Sequence, residues 1–408
     1  MPYRISLLLL SASALALAAP APDAPPPTLV GIYQLDTDPA LVPPPPGFDY
    51  TPTSFAFSPD EQWIAVTLGM RATEAKTAQS KSLQITNTAL LLLPLRSSTG
   101  DQSIRIDLTP RAAVFWAPDS KSIAARSIFG RDPEPTKIYN LRGELTWTGP
   151  PAGPLLGFIA PDRLLARHQK SNGALSGFDT IDVHTSALTP WRGPRNAHFA
   201  ALDSAHGLVA MFPDTEGSQT LIVDDSTGKI VQTIKNQNQT TGFNGSTCGF
   251  EQSGICETVP LTAPQAYFAQ NGRTLCEAAL VGAFKSHPEC WDVATGKSIA
   301  DFPAVDGGEP GAASAGASRL VVSKLNRLPG GHLGGKGTFS GEGAQTYTGH
   351  VVWDFRTGIE VAAWQPPKQV SYLGIGSIGA LLVPIAISSQ GHYVAEILGG
   401  ELRLYQLP

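Results

Sequence analysis

Charge is scarce in this sequence. It holds 29 basic and 34 acidic residues in 408, or 15%, where ordinary soluble domains carry about 25%. That shortage excludes a coiled coil and a charged disordered chain. The formal net charge is −5, so no basic surface is expected for nucleic acid or an anionic membrane. Methionine (3) and cysteine (4) are also few, and the cysteines form no paired C-x-x-C framework for zinc. An HExxH pair, a Gly-x-Ser-x-Gly elbow and a sialidase-type aspartate box are all missing. By contrast, 41 Gly and 35 Pro make up nearly a fifth of the chain, against about 12% in ordinary domains. Long helices are thereby excluded, and a turn-dense, well-buried β protein is expected.

The N-terminus reads as an address. One positive charge at Arg4 precedes an apolar run from Ile5 to Ala18, which ends in the small-x-small site Ala16-Leu17-Ala18. Residues 1–18 are therefore expected to be a secretory signal peptide; the alternative is an uncleaved anchor, for which the run is short. Residues 19–27 (APAPDAPPP) follow as a Pro-rich spacer, and a single domain is expected over 28–408. Val370 to Ser388 lacks charge, but Gly374, Gly376, Gly379 and Pro384 argue against a membrane helix. A secreted or periplasmic location lets Cys248, Cys256, Cys276 and Cys290 be read as two disulfides. Three pairings are open to them. Cys248–Cys256 and Cys276–Cys290 are the favoured ones, with metal binding the alternative.

A search for self-similarity finds an apolar pair, a turn and a β-rich segment, seven times over. The clear copies are Phe55 to Asp60 (FAFSPD), Val114 to Asp119 (VFWAPD) and Gly157 to Asp162 (GFIAPD). Weaker ones are His198 to Asp203, Tyr267 to Gly272, Ala312 to Ala317 and Ile385 to Gly391. A second motif joins two strands through a tight Thr-Gly turn, at Val223 to Val231, Cys290 to Ile299 and Val352 to Val361. Ile181 to Leu188 and Ile138 to Leu145 are degenerate versions of it.

Together the motifs supply four short strands per unit, and this pattern resembles the WD40 and TolB-like β-propeller repeats. The resemblance implies an all-β, seven-bladed propeller over 28–408. Trp-Asp survives only at Trp291-Asp292 and Trp353-Asp354, and no Gly-His precedes a first strand. Packing between blades, rather than the Asp–His network of the family, is thus expected to hold the fold. The last copy provides only three strands: Ile385 to Ile387, Tyr393 to Leu398 and Leu402 to Leu407. The unpartnered segment Leu29 to Leu35 is expected to supply the fourth and close the ring.

With strands labelled a to d in each unit, a–b and c–d turns fall on one face, b–c and d–a connections on the other. The long connections are 36–50, 70–81, 236–260, 325–347 and 365–380, and all are b–c or d–a. Long loops are uncommon unless they are functional or disordered. The loop-bearing face, around the channel mouth, is the expected binding surface; tolerated surface expansion is the alternative. Arg71, His332, Lys336, Phe339 and Tyr347 are its candidate binding residues, with Glu74 and Glu342 as further polar groups.

Two glycine-rich strings fail on context. Gly330 to Lys336 (GGHLGGK) matches a phosphate loop until Gly337, where a Ser or Thr should meet magnesium. Gly374 to Gly379 (GIGSIG) matches a dinucleotide fingerprint, but Pro384 and the strand-like 381–387 forbid the helix it needs. Asp224-Asp225 sits in a turn and reads as capping rather than metal binding. No cofactor, metal or catalytic residue is assigned. The expected function is a monomeric binding module for a protein or carbohydrate partner, with no nucleic acid and no membrane span in the mature chain. The alternative is a secreted hydrolase, lyase or quinoprotein-like enzyme with its site at the channel mouth.

Overall fold

The computed structural model describes residues 24–72, 88–95, 102–108, 112–127, 134–170, 175–195, 197–213, 219–235, 265–269, 272–281, 285–301, 309–327, 332–333, 339–340, 344–365, 371–373, 385–398 and 400–408. The signal-like segment, the first part of the spacer, Cys248, Cys256 and the two glycine-rich strings, apart from His332 and Leu333, lie outside them. Among the described residues no helix is long and apolar enough to cross a membrane. The described residues of the uncharged stretch 370–388 include two short strands, 371–373 and 385–387.

The chain begins with a lone strand, β1 (Thr28–Gln34), and then lays down four-stranded antiparallel sheets. Blade 1 is β2 (Phe48–Phe57), β3 (Trp63–Ala72), β4 (Thr88–Pro94) and β5 (Ile104–Leu108). Blade 2 is β6 (Ala112–Trp116), β7 (Ser122–Ser127), β8 (Glu134–Asn140) and β9 (Leu145–Ala152). Blade 3 is β10 (Leu155–Ala160), β11 (Arg163–Gln169), β12 (Leu175–Asp182) and β13 (Leu188–Pro190). Blade 4 is β14 (Ala197–Asp203), β15 (Leu208–Pro213), β16 (Gln219–Asp224) and β17 (Ile230–Lys235). Blade 5 is β18 (Gln265–Ala269), β19 (Thr274–Val281), β20 (Lys285–Asp292) and β21 (Ser298–Asp301).

Blade 6 is more elaborate. It runs through β22 (Glu309–Gly316) and β23 (Arg319–Arg327), then a small separate hairpin of β24 (His332–Leu333) and β25 (Phe339–Ser340). It resumes with β26 (Ala344–Asp354) and β27 (Ile359–Trp364), and β28 (Ser371–Leu373) adds to β26. Blade 7 has β29 (Ile385–Ile387), β30 (Tyr393–Leu398) and β31 (Glu401–Gln406), and its outer strand is β1. Thr28 pairs with Gln406 and Gln34 with Glu401, so the first strand of the chain completes the last blade. All seven apolar-turn motifs fall on first strands, and neighbouring first strands approach one another from β6 round to β29 and on to β2, while β6 meets blade 1 through β3.

The cores lie between the blades. In β4, Leu91 and Leu93 pack toward blade 7 while Leu90 and Leu92 pack toward blade 2. A run of four leucines is thus a strand buried on both faces, each side chain turning opposite to the last. Among the described residues the buried clusters number seven, one at each junction: blade 7 with 1, 1 with 2, 2 with 3, 3 with 4, 4 with 5, 5 with 6 and 6 with 7. With both surfaces of every sheet covered, little room is left for charge. Tyr33 of β1 also donates its hydroxyl to the Pro94 carbonyl at 3.0 Å, tying the exchanged strand to blade 1.

The Cys276–Cys290 disulfide joins directly opposed residues of β19 and β20, with Cα atoms 4.1 Å apart. Both sulfurs are buried between blades 5 and 6. Closing a loop of this length stabilises by about 3 kcal/mol in the chain-entropy account.

Candidate binding face

The a–b turns are closed by short hydrogen bonds: Glu61 N to Ser58 O at 3.0 Å, Ser120 N to Ala117 O at 2.9 Å, Gly391 N to Ser388 O at 2.9 Å. They also hold one another. Asp60 N donates to Ser120 Oγ at 3.0 Å, and Ala317 N to Ser389 O at 2.8 Å. Where blade 7 meets blade 1, the buried Glu61 carboxylate accepts Gln390 N at 2.8 Å and faces His392 Nδ1 at 2.9 Å. Ser389 Oγ donates to Pro59 O at 2.7 Å beside it.

The c–d turns repeat one capping device. Asp224 Oδ1 accepts the amide and hydroxyl of Thr227, both at 2.7 Å, and Asp292 does the same with Thr295. These bonds hold both carboxyl groups below the usual aspartate range, the threonine hydroxyl contributing most. Gly228 follows at φ +69°, and a Cβ there would lie 2.4 Å from the Arg192 carbonyl carbon; only glycine fits this turn. Asp225 points away toward Arg163 of blade 3 at 3.6 Å, and burial raises its pKa. The Asp224-Asp225 pair therefore caps a turn and meets a neighbour.

The opposite face receives the connections that run long. The small β24–β25 hairpin and β28 both belong to it, as does 36–47 between β1 and β2. Of the sequence-predicted residues, His332 stands opposite Ser340 and Phe339 opposite Leu333, in the same hairpin. Tyr347 pairs with Leu325 where β23 meets β26. Arg71 lies near the end of β3, opposite Asp49. The topology thus puts these four on the loop-bearing face, three of them in blade 6 and one in blade 1. Lys336, Glu74 and Glu342 lie outside the described residues. Among the described residues no group of three or more His, Cys, Asp or Glu side chains could hold a metal ion.

Two buried polar clusters were not singled out in the sequence. Glu277 of β19 is fully buried, opposite Glu289 of β20, and accepts the Thr220 hydroxyl of blade 4 at 2.5 Å. Burial raises its pKa to about 7; the Thr220 bond opposes the shift and the Glu289 charge adds to it. Between blades 6 and 7, Glu396 Oε2 lies 2.7 Å from His350 Nε2, and Tyr405 donates its hydroxyl to Oε1 at 2.5 Å. Trp364 packs against both the His350 and Tyr405 rings. Burial and the Glu396 charge raise the Tyr405 pKa.

Comparison with known proteins bears on the fold. No protein-family model matches the chain, and no curated protein matches it by sequence. Among solved structures it is similar to the β-propeller domain of Myceliophteria thermophila Cps50 (Swd1), with a TM-score of 0.54 at 10% identity. The match covers 88% of this chain and 96% of that one. A likeness at this identity speaks to architecture alone. With seven blades and an exchanged closing strand, and with that likeness in architecture, the chain is a seven-bladed β-propeller whose repeats resemble those of WD40 proteins.

Proposed function

We propose that the protein is a secreted or periplasmic binding module that meets a protein or carbohydrate partner with its loop-bearing face. The observation that carries this reading is the asymmetry between faces. One carries tight turns whose amides and carboxylates bond within and between turns. The other carries the long connections, a separate hairpin and an added strand. Rigid scaffolds present recognition residues on such loops, and loop length itself costs the fold little. Secretion rests on the charged, apolar and small-residue order of residues 1–18.

Replacing residues 328–343 with a short Gly-Ser link tests the reading. The trimmed protein should melt with the parent, since closing a shorter loop changes stability by only about 1 kcal/mol. It should lose the partner that the full-length protein captures from its native envelope fraction. Undiminished capture by the trimmed protein counts against the reading.

A further inference from the structure

The connection between β1 and β2 contains four consecutive prolines, Pro43 to Pro46. None has an amide hydrogen to offer a sheet, and each ring fixes φ near −65°. A residue that precedes proline is turned away from helical geometry, so the sequence from Val42 to Pro45 favours extended polyproline II, and neither helix, strand nor turn falls on these four residues.

Both ends of this strut are pinned. On the N-terminal side Asp38 Oδ1 accepts Ala40 N at 2.9 Å and Ser103 Oγ at 2.5 Å, and Asp38 O accepts Leu41 N at 2.9 Å. Ala40 and Leu41 pack on the core between blades 7 and 1. The Tyr50 hydroxyl donates to Val42 O at 2.9 Å. On the other side Phe48 N donates to Pro45 O at 3.1 Å across Pro46-Gly47. Gly47 has φ +85° there, the geometry of a type II turn with proline first and glycine second.

Between the pins the apolar surface is left in water. Val42 is 60% exposed, and Pro43, Pro45 and Pro46 are exposed as well. The flanking Asp36 and Asp49 are exposed and acidic, while the strut carries no charge. A held, exposed, extended proline run is what aromatic-lined grooves recognise, and most of its ordering entropy is lost before binding.

We propose that Val42–Pro46 is a docking ligand, read by a partner protein whose groove is lined by aromatic side chains and rimmed by basic ones. Ser103 belongs to the c–d connection of blade 1, so the strut is held from that side and reaches the loop-bearing face at Phe48; the proposal names a partner's chemistry for this connection and rests on the protein being a binding module.

Isotope-labelled EVH1 and WW domains serve as soluble aromatic-groove probes, titrated with the purified protein and followed by NMR. The expected result is saturable shifts confined to the groove aromatics. The Pro43→Ala/Pro45→Ala variant should weaken binding about tenfold, the loss of roughly one well-packed contact. It should melt with the parent, because both rings are exposed and the Pro46-Gly47 turn is intact. A free peptide spanning Leu41 to Phe48 should bind more weakly than the folded protein, since it must first be ordered. Absence of groove shifts, equal binding by the variant, or tighter binding by the peptide overturns the proposal. Trimming 328–343 leaves the strut in place, so a protein that binds the probes yet keeps its native partner after trimming separates failure of the face reading from failure of this one.

Discussion

At the fourth residue of each second strand the side chain turns toward the preceding blade. Five blades put an apolar group there: Val66, Ala125, Ala166, Met211 and Val322, all within junction cores. Blades 5 and 7 put Glu277 and Glu396 there instead, both buried. Glu396 is met by His350 and Tyr405, whereas Glu277 has a hydroxyl and a second carboxyl for neighbours. Burial inside the junction of blades 4 and 5 favours the neutral form of Glu277. Its pKa of about 7 lies above the ordinary 4.5. The folded state therefore holds a proton that the unfolded chain releases over this interval, and stability falls as pH rises from about 4.5 through about 7. The loss is on the order of 3 kcal/mol. Glu277→Gln keeps an acceptor for Thr220 and removes the titration. Urea unfolding at the two ends of the window should show a marked decline in the parent and a much smaller one in the variant. An identical decline in both would place the effect elsewhere. These two glutamates were legible in principle, as charged residues at a repeat position that is otherwise apolar. They were missed because the repeat was recognised by its first strand and turns, while the position that exposes them lies in the second strand.

The strand β1 is held more by pairing than by burial. Leu29, Val30 and Ile32 are between 44% and 47% exposed, and its place is set by pairing with β31 and by the Tyr33 bond to Pro94. Its removal strips the outer edge of blade 7 and uncovers part of the largest junction core, where Leu35 is buried. Deleting 28–36 should lower the melting temperature sharply, and differential scanning calorimetry of the two proteins decides it; coincident curves would mean that the ring closes without the exchange. This strand could be read in the sequence because the last repeat was one strand short and a β-type segment stood unclaimed at the other end. The same counting gave each first strand and each Thr-Gly hairpin. The β24–β25 hairpin and β28 escaped it, since they are irregular additions with no counterpart among the described residues of the other blades. The cross-strand pairing of Cys276 with Cys290 followed from their place on neighbouring strands, but that Glu277 and Glu289 form the adjacent rung required the register.

At the scale of the molecule, the ring is closed twice at one junction. β1 crosses from the start of the chain to pair with β31, and on the tight-turn face Glu61 of blade 1 holds Gln390 and His392 of blade 7. The other six junctions are covalently continuous and rely on packing, with a few bonds such as Thr220 to Glu277. Strand exchange matters only where the chain is broken, because there an interface held by side chains alone could part without tearing a sheet. Two circular permutants isolate this. In both, Gln406 is joined to Thr28, its partner in register, by a short Thr-Gly turn that makes blade 7 an ordinary hairpin. One is opened in the c–d turn of blade 4, between Asp225 and Lys229, so that β17 becomes a leading strand that must return to close the ring as β1 does now. The other is opened within 236–264, which leaves the junction of blades 4 and 5 to the Ile222, Leu275 and Trp291 core and to side-chain bonds such as Thr220 to Glu277. Core packing, turns and composition are nearly the same in the two chains. The first should melt close to the parent and the second several degrees lower, with earlier exchange of amides in β18 and β14. Equal melting of the permutants would show that the seven packed junctions suffice to hold the ring and that the exchanged strand contributes no more than its own hydrogen bonds.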